Sequence, residues 1–271
     1  MSELIANARM YSVAPPAAAA WKRLFAWLQA KSGVDMTVID HAFPASLDEL
    51  WSRKDLACTF MCGWPFMRYG AVHQVVAAPI PSAEYAKGRA VYCSHFVVRD
   101  DAPFETLEDT FGHRFAYTIP DSHSGYNAPR HHLLKYRKDG TKALYREIVG
   151  PLRTPRLMVE AIVEGKTDVG PLDSFAYALL RRHWPEVASR TRVIASTDVV
   201  PIPGFMASAG TSPDVVKRLA DTLVTFGDDS AQAELRADLC ILGFARVENG
   251  DYQITEDWAR AAETRGLAEI A

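Results

Sequence analysis

The residues best suited to chemistry lie in one short run, Asp121-Ser122-His123-Ser124-Gly125-Tyr126, between an apolar segment ending at Ile119 and a helix-like one. A strand followed by Ser-x-Ser-Gly and a helix beginning near Tyr126 would turn several backbone N–H groups and two hydroxyls outward at the positive end of a helix dipole. That arrangement is an anion site, and it costs little desolvation because the first N–H groups of a helix have no partner within it. A helix cap accounts for one serine of the pair; it does not account for the cluster.

Other reactive residue types are scattered. His131 and His132 are adjacent, so they face different sides of a helix, and His41, His73, His95, His113 and His183 have no metal-ligand spacing. Asp121, Ser122 and His123 are too close in sequence for a catalytic triad, whose members come from separate loops. No catalytic residue, cofactor or metal is therefore assigned. Cys58, Cys62, Cys93 and Cys240 contain no C-x-x-C pair and read as reduced, buried thiols. Trp64, beside Gly63 and Pro65 in an expected loop, is the tryptophan placed for a ligand, whereas Trp21, Trp27 and Trp51 fall in helix-like segments.

The whole chain has to support this turn. Its 271 residues, 48% hydrophobic and 23% charged, are enough to bury a sizeable core in one large or two modest domains. A formal net charge of −3 leaves no basic field for a phosphate backbone, which argues against nucleic acid and for a small molecule as partner. Charges interrupt every apolar run before the ~20 residues a membrane span needs. The start, MSELIANARMYSV, has no basic segment followed by an apolar one. Either the chain is cytoplasmic, or it is periplasmic and a leader has been removed.

β-like and helix-like segments alternate, the pattern of a mixed sheet covered by helices. IANARMYSV, DMTVID and DLACTFMCG read as early strands. A helix entered through Pro15-Pro16 carries Trp21, Leu24, Phe25 and Leu28 on one stripe, and Ser46 with Glu49 forms a capping box for the next. The run from Gly88 to Asp101 is a further β-like stretch, and a short helix closed by Gly112 precedes the strand that feeds the Ser-rich turn. Beyond the turn, RLMVEAIVEG and SFAYALLRRHW read as helices and TDVGPLD and TRVIAST as strands. Ser212 and Pro213 open a last helix closing at Gly227. Long β-like stretches near Cys93–Val98 and Val193–Thr197 are places where the chain could leave one unit and return.

Three segments carry a family resemblance: FVVRDDAPFETLEDTFGHRFAYTIPDSHSGY, LMVEAIVEGKTDVGPLDSFAYALL and RVIASTDVVPIPGFMASAGTSPDVVKRLADTL. In order and over more than half of the chain, they resemble the periplasmic-binding-protein-like type II fold, specifically the phosphate, phosphite and phosphonate substrate-binding proteins of ABC transporters. The resemblance implies an α/β fold of two lobes with a ligand cleft between them: lobe one from 1–93 and 199–271, lobe two from 94–198. It implies that Ser122, His123, Ser124 and the amides of Gly125 and Tyr126 hold an oxyanion, and that Asp173 meets an amine or hydroxyl of the ligand. Tyr11 and Trp64 would close over it from the first lobe, and Tyr92 and Ser94 lie near the first hinge crossing. An ABC permease is the implied partner.

One departure stands out. Where phosphonate binders of this family carry a Ser-His-Asp turn, this chain has Thr154-Pro155-Arg156. Thr154 can cap the helix and Pro155 suits its first position. Arg156 or His123 could replace the missing positive charge, and an Arg would favour a planar carboxylate or phosphate held by two bonds; equally, Arg156 could be a solvated first-turn residue. The same fold also hosts cytoplasmic enzymes and ligand sensors acting on a small carboxylate or phosphorylated metabolite, which is the rival reading.

Overall fold

A computed structural model describes residues 3–69, 72–137, 143–267 and 269–270. In chain order, β1 (Ile5–Asn7), α1 (Pro15–Ser32), β2 (Thr37–Val38), α2 (Leu47–Trp51), β3 (Leu56–Met61), α3 (Gly63–Tyr69) and β4 (His73–Pro81) lead to β5 (Val91–Tyr92). Next come β6 (Ser94–Arg99), β7 (Arg114–Ala116), α4 (Ala128–Leu133), β8 (Glu147–Val149), α5 (Pro155–Val163), β9 (Val169–Asp173), α6 (Ser174–His183), α7 (Pro185–Ala188), β10 (Thr191–Ser196) and β11 (Val200–Pro201). The chain ends with β12 (Gly204–Ser208), α8 (Pro213–Val224), α9 (Ala233–Asp238), β13 (Ile241–Ala245) and α10 (Gln253–Thr264).

Two compact units result, Met1–Val91 with Pro201–Tyr252, and Tyr92–Val200 with Gln253–Ala271. The first is built on a mixed sheet in the order β13-β4-β12-β3-β1-β2. Its centre is aromatic: Phe60 and Phe205 face each other across the antiparallel β3–β12 pair with ring centroids 4.0 Å apart, and Trp21 meets Phe60 edge-on at 5.0 Å. Each buried ring of this size contributes about 2–3 kcal/mol of hydrophobic stabilisation and adds edge or stacking contacts with its neighbours.

The second unit has the sheet β10-β6-β9-β7-β8, with β7 and β9 parallel and β6 antiparallel to β9. Sequence reasoning returned all of 199–271 to the first lobe. Instead α10 and the segment after it pack in the second unit, because Ala262, Leu267 and Ile270 join the buried cluster of Phe96, Phe115, Leu133 and Val169.

Several local expectations meet their geometry. The Thr154 hydroxyl accepts from Leu157 N at 3.1 Å with Pro155 opening α5; Ser46 caps α2 through Asp48 N rather than through the Glu49 pairing of a capping box. Ser212 precedes α8 without a side-chain cap bond, and α8 ends at Val224 rather than at Gly227. Gly63-Trp64-Pro65, expected as a loop, is the first turn of α3: Pro65 lacks an N–H that an early helical position does not use, and Phe66 N donates to Cys62 O.

Candidate functional site

The Ser-rich turn leaves β7 through Thr118. Ser122 is extended (φ −74°, ψ 130°), and its hydroxyl accepts from Gly125 N at 2.9 Å, so it is the cap of the turn. Asn127 N then reaches Ser122 O at 3.0 Å and Ala128 N reaches His123 O, a wide i to i+5 winding over His123–Asn127 before α4 begins. Windings of this kind interrupt regular helices mainly where function demands it. Gly125 is dictated by contact: a Cβ there would stand 1.9 Å from Thr118 Oγ1, and Gly125 O accepts from Thr118 N at 3.3 Å.

Of the two serines, Ser122 is occupied as a cap, while the hydroxyl of Ser124, 5% exposed, has no hydrogen-bond partner among the described residues. His123 is buried, with Nδ1 3.1 Å from Asn127 Nδ2 and Nε2 without a partner among the described residues. Its ring lies near Tyr92 (centroids 6.2 Å) and stacks on Trp258 (5.6 Å, 26°), which stacks in turn on His131 (4.7 Å, 4°). Burial, then the neighbouring His131, pushes the His123 pKa down to about 3, so the ring is neutral at pH 7 and supplies no positive charge. Tyr126 is half-buried, edge-on to Tyr117 at 5.4 Å, with the Arg130 guanidinium 5.6 Å over its ring.

Ser94 and Asp173 are direct partners in the β6–β9 register, and β9 packs against the 123–127 winding. They therefore share one end of the second unit's sheet with the turn, beyond the carboxyl ends of the parallel strands β7 and β9, the end where open α/β sheets take their ligands. Ser94 N donates to Thr197 Oγ1, but the buried Ser94 hydroxyl has no partner among the described residues. Asp173 caps α6: Oδ1 accepts from Phe175 N and Ala176 N, both at 2.9 Å.

Arg156 stands in the same unit but is engaged. Its Nε donates to Glu160 Oε1 at 3.1 Å and its guanidinium lies 4.3 Å over the Trp184 ring, which is the solvated first-turn alternative. In the first unit, Tyr11 is 1% exposed and meets Phe60 edge-on at 4.8 Å, its carbonyl accepting from Trp21 Nε1. Trp64 is buried on α3 with Arg68, one turn on, 5.3 Å over its ring. Both aromatics thus take part in the packing of that unit.

Sequence reasoning missed Asn127, Arg130 and Trp258. The i, i+4 pair His123–Asn127 and the i, i+3 pair Asn127–Arg130 were visible as spacings on one helix face; nothing local marks Trp258, which reaches the turn from another part of the chain.

Residues 12–252 match the family described as "ABC transporter, phosphonate, periplasmic substrate-binding protein". No curated protein matches the chain. Among solved structures, the binding-protein component of an ABC phosphonate transporter from Pseudomonas aeruginosa superposes with a TM-score of 0.80 at 17% identity, over 98% of this chain and 89% of that one. PhnD1 from Prochlorococcus marinus in complex with methylphosphonate gives 0.76 at 14% identity, over 96% and 98%. A Xanthomonas citri protein bound to ATP gives 0.66 at 17%, over 97% and 98%. These likenesses show the fold, the α/β type II periplasmic-binding-protein fold. The chain belongs to the phosphonate ABC-transporter substrate-binding protein family, which implies a small ligand and a permease partner. Among the described residues no helix is long and apolar enough to cross a membrane.

Proposed function

We propose that this chain captures a small tetrahedral oxyanion, a phosphonate or phosphate, on the Ser122–Tyr126 turn and hands it to an ABC permease. The observation that carries this reading is the pair of buried polar atoms that have no partner among the described residues at one end of the second unit, His123 Nε2 and Ser94 Oγ, with the Ser124 hydroxyl next to His123 in the turn. A buried donor or acceptor with no partner costs about 1–3 kcal/mol, a cost that a bound ligand removes. Hydroxyls and ring N–H groups on a turn meet the divergent oxygens of a tetrahedral anion one at a time. A planar carboxylate is better served by a guanidinium fork, and Arg156 is committed to Glu160 and Trp184. The methylphosphonate complex of PhnD1 on the same fold supports the same ligand class. Asp173, opposite Ser94 in the β6–β9 register, is the residue to meet an amine or hydroxyl of the ligand in this reading.

Isothermal titration with methylphosphonate, phosphate, sulfate and malate tests the reading. Binding of a phosphonate or phosphate in preference to malate is expected. Ser124→Ala should weaken it by about 1–3 kcal/mol, roughly five- to a hundredfold. Failure of the wild-type protein to bind any of the tetrahedral anions refutes the reading, and unchanged affinity in Ser124→Ala removes Ser124 from the site.

A further inference from the structure

Beneath the turn three buried side chains form a directed relay. Arg130 Nη2 donates to Asn127 Oδ1 at 3.2 Å, and Asn127 Nδ2 donates to Thr255 O at 2.7 Å. A guanidinium can only donate and a carbonyl can only accept, so these two partners independently fix the same orientation of the Asn127 amide. The second hydrogen on Nδ2 is then left for His123 Nδ1, 3.1 Å away, which must present its lone pair. The proton of the ring sits on Nε2, the nitrogen that is buried and has no partner among the described residues.

Every part of this relay is held in place. His123, Asn127 and Arg130 are 1%, 0% and 3% exposed, and the Trp258 face stacked on His123 restricts rotation of the ring. Burial disfavours the imidazolium, so the protonation pattern follows from the relay rather than from pH near neutrality. Ser94, whose buried hydroxyl has no partner among the described residues, lies opposite Asp173 at the end of β9, the strand that packs against the winding.

We propose that Arg130 and Asn127 are positioning residues that hold His123 as its Nε2–H tautomer, so that the ring offers one uncharged N–H donor to the bound oxyanion. The proposal rests on the binding reading above and adds a selectivity to it. An Nε2–H donates to a ligand oxygen, and it donates more strongly to an unprotonated, charged oxygen than to a P–OH, whereas the opposite tautomer would set a lone pair against an unprotonated oxygen and repel it. His123 therefore favours the unprotonated state of the ligand oxygen it meets without bringing a positive charge to it.

Long-range proton–nitrogen NMR of the His123 ring in the ligand-free wild-type protein at pH 7 tests the tautomer without any ligand or variant. The Nε2–H pattern is expected; an Nδ1–H or imidazolium pattern overturns the proposal. Adding methylphosphonate should move the Nε2–H resonance and slow its exchange with water, and an unmoved resonance in a protein that binds methylphosphonate overturns the donor role. Asn127→Leu should lose the single-tautomer pattern and bind methylphosphonate about tenfold or more weakly; retention of both pattern and affinity overturns the positioning role. His123→Gln, which restores an N–H near the Nε2 position, should bind about tenfold more tightly than His123→Leu. A wild-type protein with the Nε2–H tautomer that binds no oxyanion refutes the donor role through failure of the binding reading, whereas a wrong tautomer in a protein that binds the anion refutes this proposal alone.

Discussion

Gly125→Ala is the sharpest test of how the anion turn is held. The added methyl would lie 1.9 Å from Thr118 Oγ1, 2.9 Å from Thr118 Cβ and 3.0 Å from Ser122 Oγ, where about 3.5–4.0 Å is comfortable. Threonine is stiff at χ1, and rotating Oγ1 away still leaves Cβ too close, so the backbone has to move. Movement strains the two bonds that close the turn, Gly125 N to Ser122 Oγ at 2.9 Å and Thr118 N to Gly125 O at 3.3 Å. Overpacking costs about 1–3 kcal/mol and a weakened hydrogen bond about 0.5–1.5 kcal/mol, against a gain of about 0.4–1 kcal/mol from stiffening the unfolded chain. The expected net loss is about 2–3 kcal/mol, or roughly 4–12 °C in melting temperature for a chain of this size. Two units need not unfold together, so the measurement is amide exchange across residues 114–133 combined with urea unfolding. Thr118→Ala in the same background removes Oγ1 but not Cβ and should recover about 1 kcal/mol. A Gly125→Ala protein with wild-type exchange and midpoint, or no recovery in the double variant, refutes the contact argument.

Gly170→Ala is the matched control: its Cβ would meet Met158 Sδ at 2.3 Å, but a flexible thioether can swing away, so a loss below about 1 kcal/mol in urea is expected. Asp173→Ala should cost about 0.5–2 kcal/mol by removing the α6 cap, while Asp173→Asn keeps most of the stability, and titration calorimetry on the Asn variant then reports any ligand role separately from the cap. Asp168 binds Arg114 through both carboxylate oxygens, at 2.8 and 3.0 Å; burial alone would push its pKa up, but the Arg114 hydrogen bonds and charge outweigh it and hold it below the ordinary carboxylate value. A depressed folded pKa contributes stability above the unfolded value near 4 and loses it as pH falls through the folded value. Asp168→Asn should therefore destabilise by about 1 kcal/mol in urea at pH 7, with the gap to wild type closing below pH ~4; a gap that stays constant to pH ~2 refutes the pairing argument.

Local rules carried the reading wherever local chemistry decided the structure. Apolar β-like runs identified β3, β9 and β10, the helices α5 and α6 were read in place, and Thr154-Pro155 opened α5 as expected. β4 and β12 went unread because prolines interrupt or precede them. Pro79 and Pro81 lie within β4, where Pro cannot donate to the ladder, yet the strand survives opposite Phe244 and Ile241 with a register shift at its β13 edge. Trp64 was expected in a loop because Gly and Pro flank it, but those same residues suit the first turn of a helix whose Phe66 packs on Tyr252. At the candidate site the Ser-rich turn was legible as a motif, with one of its two serines, Ser122 or Ser124, as a cap. What each serine does was not, since capping and ligand binding draw on the same hydroxyl until the Gly125 N bond is seen.

The least legible part of the site is its support, and the reason is distance along the chain. Helix α10 has an ordinary amphipathic stripe, Thr255, Trp258, Ala259 and Ala262, and a stripe states that a face is buried without stating against what. Only the tertiary packing shows that this face meets the turn of the second unit, placing Thr255 O on Asn127 and Trp258 on His123. A motif can supply donors, but the orientation of a donor depends on what its other atoms are bonded to. For His123 those partners are Asn127, four residues on, and through it a carbonyl more than a hundred residues away in sequence. The ring nitrogens of His123 are therefore set by α10 as much as by their own segment. Substitutions on the inner face of α10 should accordingly change anion binding without touching a residue of the turn, with Trp258→Ala the first to measure by titration calorimetry. Wild-type methylphosphonate affinity in a folded Trp258→Ala protein would show that the stack is packing alone.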